Sequence, residues 1–137
     1  MQHINSQLDI MTPSRIFENH QIKMEIKDGV LHAHYKAGLM LNLEEAKKLV
    51  EERIKLCEGR EYPFIIYDGG VVSMDRDARL FFSSYDGTKG IAMAAFIESS
   101  VFSKMLINFF LKLTKPNVKS RAFGNVEEAM KWIERNQ

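Results

Sequence analysis

Apolar and polar residues alternate along two neighbouring stretches near the start of the chain. The apolar positions of these stretches are Ile22, Met24, Ile26, Leu31, Ala33 and Tyr35. An alternation with period two is typical of half-buried strands, and the Asp28-Gly29 pair between the stretches is a favoured two-residue hairpin turn. The sequence therefore predicts an antiparallel β-hairpin that pairs Ile26 with Leu31 and places every apolar side chain on one face.

A helical pattern follows at Asn42. Apolar residues recur every three or four positions as far as Cys57, and Glu45 completes an Asn-x-x-Glu capping box. Gly59 provides a signal for the end of the helix. Together these residues predict a helix over about 43–58.

Short apolar runs alternate with helical patterns along the rest of the chain. The predicted elements are a central strand at 64–67, a helix that begins near Ser73, a strand at 91–97, a helix at 100–114, a strand at 118–123 and a helix capped by Asn125 and Glu128. This order predicts an α/β fold with a mixed sheet, in which the N-terminal antiparallel hairpin precedes alternating helices and largely parallel strands. We interpret residues 1–19 as an N-terminal arm and residues 20–137 as a single domain.

The predicted helix at 100–114 has a wider apolar arc than one sheet needs to cover. Neighbouring elements of the same chain, a second subunit, a partner protein or an acyl-like ligand could bury the surplus. Because lysines and arginines lie nearby in the sequence, contact with an anionic lipid surface is a weaker alternative. The residues that we single out here as partner or ligand contacts are Phe102, Lys104, Ile107, Phe109, Phe110 and Leu111.

Composition narrows the class of protein further. The 137 residues are 45% hydrophobic and 27% charged, which is ordinary for one folded domain. A net charge of +1 argues against a general nucleic-acid binder, and no apolar run approaches the roughly 20 residues of a membrane span. Cys57 is the single cysteine, which excludes an internal disulfide and favours a cytoplasmic location.

Candidate catalytic chemistry is sparse. Asp68 ends a predicted strand but reads more simply as part of a turn, and neither common nucleotide-binding loop is present. His32 and His34 share a strand face as two metal ligands would, with Glu25 as a third, although a solvated polar face explains them better. We therefore assign no catalytic residue, metal or cofactor, and expect that the protein is not an enzyme.

Ser73 lies where a loop is predicted to become a helix. An N-cap role explains it and contributes about 1 kcal/mol. Alternatively, Ser73 is a phosphoacceptor, because a phosphate near a helix N-terminus adds about two negative charges and changes a partner surface. Asp75 and Asp77 follow within four residues and oppose that added charge.

Several segments resemble the small STAS/SpoIIAA-like proteins of bacteria. The matching residues are 28–32 (DGVLH), 42–47 (NLEEAK), 73–79 (SMDRDAR), 108–116 (NFFLKLTKP), 121–123 (RAF) and 127–133 (EEAMKWI). The resemblance implies a mixed sheet flanked by helices. In the anti-sigma-factor antagonists of the wider STAS family, a partner kinase phosphorylates a serine near the start of the helix after the central strand. Ser73 is the nearest match, although Val72-Ser73-Met74-Asp75 replaces the Asp-Ser-Ser-Gly-type motif.

The leading interpretation is a non-catalytic regulatory module that contacts an unknown protein partner. Ser73 is its candidate phosphoacceptor, and Asp75 and Arg76 join the predicted contact surface. A small-ligand or lipid-binding module that uses the apolar face of the 100–114 helix is the alternative. A homodimer through that face is a further expectation.

Overall fold

The computed structural model describes residues 15–36, 40–67, 73–98, 108 and 118–137. Its strands are β1 Arg15–Glu18, β2 Ile22–Lys27, β3 Val30–Tyr35, β4 Met40–Leu41, β5 Tyr62–Tyr67, β6 Ser73–Met74, β7 Ile91–Ile97 and β8 Lys119–Phe123. Its helices are α1 Leu43–Cys57, α2 Arg76–Ser83 and α3 Val126–Asn136, with a short 3-10 helix at Asp86–Thr88.

Six strands form one mixed sheet in the order β1-β2-β3-β5-β7-β8. The first three strands are antiparallel, and β3, β5, β7 and β8 are parallel. The hairpin has the register that the alternation predicts, with Ile26 opposite Leu31 and Met24 opposite Ala33. Because the side-chain period of a strand is two, this register places the apolar residues of both strands on one face. The predicted fold class is confirmed.

The sheet begins before residue 20. Residues Arg15–Glu18 pair antiparallel with β2, so the last part of the expected N-terminal arm is an edge strand of the domain. Arg15 fixes this strand to α1 by donating to the carbonyl oxygen of Leu56 at 2.9 Å. The last residues of the expected arm therefore pair with the sheet, and the division into an arm and a single domain stays a prediction.

Capping residues set the starts of the helices. Asn42 and Glu45 form the predicted capping box of α1, with Asn42 accepting from the Glu45 amide at 2.9 Å. Asn125 caps α3 in the same way through the Glu128 amide. The prediction for α2 is wrong by two residues, because its N-cap is Asp75, not Ser73. A carboxylate and a hydroxyl are both good N-caps, so local sequence does not separate them.

Two hydrophobic clusters occupy opposite faces of the sheet. One lies under α1 and α2 and includes Leu31, Phe64 and Leu49. The other lies under α3 and includes Ile65 and Trp132. Consecutive residues of β5 thus point to different clusters, as the buried central strand of a sheet with helices on both faces requires.

Most of the predicted helix at 100–114 lies outside the described residues, including its proposed contact residues. Asn108, the one described residue of that segment, is helical and exposed. Within the described part of the chain, no helix is both long enough and apolar enough to cross a membrane.

Candidate functional site

The segment that leads into α2 contains the residues predicted to contact a partner. Ser73 lies in β6, where its backbone pairs parallel with Met40 of β4. Asp75 is the N-cap of α2, and its carboxylate accepts from the Ala78 amide at 2.8 Å. Arg76 is the first residue of the helix and is exposed. The structure therefore places the three predicted residues along one short stretch, with Asp75 in the capping role.

The short β4–β6 ladder fixes the start of α2. Leu41 and Met74 are paired across it and are both buried. The Asp75 amide donates to the Leu41 carbonyl oxygen at 3.0 Å, which ties the N-cap to β4. On the outer side, Met40 leaves 66% of its surface exposed. A large apolar side chain is thereby held at the surface beside the start of α2.

One side of α2 packs on the core, and the other side faces solvent. Ala78 is fully buried, and Phe81 and Phe82 pack against the same hydrophobic cluster. Leu80 lies on the exposed side, one helical turn after Arg76, and leaves 41% of its surface accessible. The solvent-facing side therefore combines an apolar side chain with a guanidinium.

A tight turn, Ser84–Lys89, follows α2. The Ser84 hydroxyl donates to the Phe81 carbonyl oxygen at 2.6 Å and accepts from the Gly87 amide at 3.0 Å. The Thr88 hydroxyl donates to the Ser84 carbonyl oxygen at 2.8 Å. A Cβ atom at Gly87 would lie 1.8 Å from the Phe81 carbonyl oxygen, so only glycine fits there. These contacts hold the turn in one conformation.

Tyr85 projects from this turn with 74% of its surface exposed. The ammonium group of Lys89 lies 5.8 Å from the centre of the Tyr85 ring and 3.7 Å from a carboxylate oxygen of Asp86. Both charged partners are themselves largely exposed, so the ion pair contributes little to stability. The turn thus presents an accessible aromatic ring with charged neighbours.

Arg53 of α1 contacts the turn from the interior of the protein. Its Nη2 atom donates to the carbonyl oxygens of Gly87 at 2.8 Å and Lys89 at 2.7 Å, and its guanidinium lies 5.4 Å from the centre of the Phe64 ring. The side chain is buried, and this burial lowers the pKa of Arg53 from its ordinary value. A buried cation is therefore used to fix the loop that carries Tyr85.

Four exposed residues at or beside α2 make up what we call the α2 surface: Met40, Arg76, Leu80 and Tyr85. Sequence reasoning identified Arg76 but missed the three apolar or aromatic members. Tyr85 had a readable signal, because it stands alone as an aromatic residue in a polar turn. Arg53 had one too, because it occupies the apolar stripe of α1 between Val50 and Cys57.

Comparison with known proteins identifies a family and a fold. The family model "Domain of unknown function (DUF7793)" matches residues 24–137. A solved structure from Shewanella loihica PV-4, described as an uncharacterized protein of the DUF3478 family with a SpoIIAA-like fold, superposes with a TM-score of 0.52. The two chains are 15% identical over 89% of this chain and 96% of the other. No curated protein matches the sequence significantly. The similarity confirms the predicted SpoIIAA-like fold.

Proposed function

The chain belongs to the DUF7793 family, a domain of unknown function, and we propose that it is a non-catalytic regulatory module that binds another protein through the α2 surface. It is a cytoplasmic STAS-like domain in this proposal, with the buried free thiol of Cys57 consistent with a reducing compartment.

The distribution of exposed apolar side chains carries the proposal. Four large hydrophobic residues are exposed among those the structure describes, and three of them belong to the α2 surface. Met40 lies beside the start of α2, Leu80 lies on the helix itself, and Tyr85 lies in the turn that follows it. Exposed apolar and aromatic groups on and around one helix, with an arginine on that helix, are typical of protein interfaces.

The rigidity of the site supports the same function. The Arg53 hydrogen bonds and the close packing at Gly87 order the Ser84–Lys89 turn before a partner arrives. A preordered backbone reduces the conformational entropy lost on binding, and tyrosine is among the residues that contribute most binding energy at interfaces.

Ser73 is the candidate regulatory position of this module. It lies two residues before the Asp75 cap and pairs with Met40 of the α2 surface. A phosphate there adds about two negative charges beside the Asp75 carboxylate and competes with it for the first amides of α2. Phosphorylation of Ser73 therefore weakens partner binding in this proposal.

The experiment is native mass spectrometry of the tagged protein purified from its host, with each co-purifying species measured and identified. Leu80→Lys and Tyr85→Ala are compared with Ile16→Lys, which replaces the fourth exposed apolar side chain at the far edge of the sheet. We expect one protein to co-purify stoichiometrically with the wild type and Ile16→Lys, and to be lost from both α2 variants. Equal retention by all variants, or a bound small molecule in place of a protein, contradicts the proposal.

A further inference from the structure

A cluster of two imidazoles and a phenol lies on the other face of the sheet, away from the α2 surface. His32 and His34 alternate on β3 with the core residues Leu31 and Ala33, so they point toward the α3 side. The parallel register places His34 directly opposite Tyr67 of β5. Tyr67 itself packs against the cluster under α3. Three side chains with metal-binding atoms therefore meet across two adjacent strands.

The geometry brings donor atoms close together. The Nδ1 atom of His32 lies 3.1 Å from the phenol oxygen of Tyr67. The His34 ring stacks on the Tyr67 ring with centroids 4.0 Å apart and planes inclined by 6°. Two adjacent ligands on one metal, each with a bond of about 2.0–2.1 Å, are separated by about 3 Å. His32 and Tyr67 already have that separation.

The protonation state of the imidazoles also suits coordination. Burial lowers the pKa of His32, and the neighbouring His34 lowers it further. Burial and the nearby Lys23 lower the pKa of His34. Both shifts favour the neutral imidazole, which is the form that binds a metal. The Glu25 carboxylate, opposite His32 in the β2–β3 register, partly offsets the repulsion of a cation by Lys23 and Lys27.

We propose that His32, His34 and Tyr67 bind a divalent transition metal, with Cu²⁺ as the ion that this donor set favours. Imidazole and oxygen donors suit Cu²⁺, which also heads the affinity order of the divalent first-row metals. Burial raises the pKa of Tyr67, so the phenol loses its proton only when the cation binds. Binding replaces the His32–Tyr67 hydrogen bond with a bond from His32 Nδ1 and one from the Tyr67 oxygen, and the phenol proton passes to solvent. The exposed His34 ring turns out of its stack to supply the third bond, and water completes the coordination.

Tyr67 is what distinguishes this cluster from a pair of surface histidines. Among the described residues, no three His, Cys, Asp or Glu side chains are placed to share a metal ion. In the proposed site the donor of another type is the Tyr67 oxygen, and a phenolate bound to Cu²⁺ produces a visible charge-transfer band that imidazoles alone do not. The band therefore reports on Tyr67 directly.

The test is titration of the untagged full chain with CuCl₂ at pH 7.5, followed by absorbance, electron paramagnetic resonance and calorimetry. Every protein carries His3→Ala, so that His20 is the one histidine outside the cluster. His32→Ala, His34→Ala and Tyr67→Phe are compared with His20→Ala, which removes an exposed histidine outside the cluster. Circular dichroism establishes that each variant is folded.

We expect one equivalent of Cu²⁺ to bind with a phenolate band. Tyr67→Phe abolishes the band, each cluster variant weakens binding by about tenfold or more, and His20→Ala changes neither. The proposal is overturned if folded His32→Ala or Tyr67→Phe binds Cu²⁺ as the parent does. It is also overturned if the band is absent from the parent, or if His20→Ala weakens binding as much as the cluster variants.

Discussion

The guanidinium of Arg53 hydrogen-bonds to the carbonyl oxygen of Gly87 at 2.8 Å, although the two residues are 34 positions apart. This bond joins α1 to the turn after α2. At Gly87 the backbone of Phe81 leaves no space for a side chain. A helix that packs on the sheet thereby fixes an exposed loop, and the position of Tyr85 in that loop depends on the buried Arg53.

Replacing Arg53 destabilises the fold. In Arg53→Met the carbonyl oxygens of Gly87 and Lys89 lose their donor inside the protein, and we expect the free energy of unfolding to fall by about 2–4 kcal/mol. Urea denaturation measures this change. Lys55→Met is the matched control, because Lys55 lies on the same helix but is mostly exposed and pairs only with Glu52 among the described contacts. Equal loss in the two variants contradicts a supporting role for Arg53.

A methyl group at Gly87 disrupts the turn. The Cβ atom of Gly87→Ala collides with the Phe81 carbonyl oxygen, so we expect the free energy of unfolding to fall by about 1–3 kcal/mol or more. Amide exchange at residues 84–89 becomes faster in the same variant. Gly124→Ala is the control, since nothing lies within 4 Å of its added Cβ. Hydrogen exchange that is unchanged at the turn in Gly87→Ala would show that the packing is looser than the geometry implies.

The cap of α2 distinguishes Asp75 from Ser73. Asp75→Ala removes the acceptor for the Ala78 amide and lowers the free energy of unfolding by about 0.5–2 kcal/mol. Ser73→Ala changes stability less, because its backbone pairing with Met40 survives the substitution. Thermal and urea unfolding of both variants measure the difference. A larger loss in Ser73→Ala than in Asp75→Ala would return the capping role to Ser73.

We expect the stability of the protein to depend on pH through His32 and His34. Their pKa values in the folded state lie below the ordinary value of about 6.5, so the unfolded chain binds more protons in this range. The neutral forms therefore stabilise the fold above about pH 6.5, and this stabilisation is lost as the pH falls through the folded pKa values. Urea midpoints from pH 8 to 5, measured with EDTA, follow the effect. We expect a shallower pH dependence in His32→Gln, and an unchanged slope would contradict this origin.

Local sequence determined the elements whose signals lie within a few residues of one another. The period-two alternation and Asp28-Gly29 specify the hairpin register, because a slip of one residue would turn every apolar side chain to the wrong face. The Asn42 and Glu45 pair specifies the start of α1, because a capping box is completed within one turn. The alternation of helices and apolar strands predicted the α/β fold with a mixed sheet, whereas the SpoIIAA-like assignment came from the resemblance of particular segments.

Only the tertiary structure decided how distant segments meet. Ser73 and Asp75 have similar capping tendencies, and the pairing of β6 with β4 draws Ser73 into a strand and leaves Asp75 at the cap. Tyr67 contacts His32 because β5 lies beside β3 in the sheet. The two residues are 35 positions apart in the sequence, and no local pattern predicts that they meet. The position of β1 is set in the same way, by backbone hydrogen bonds to β2 and by the contact of Arg15 with α1. Periodicity reports which face of an element is buried, whereas the choice of partner depends on packing the whole chain at once.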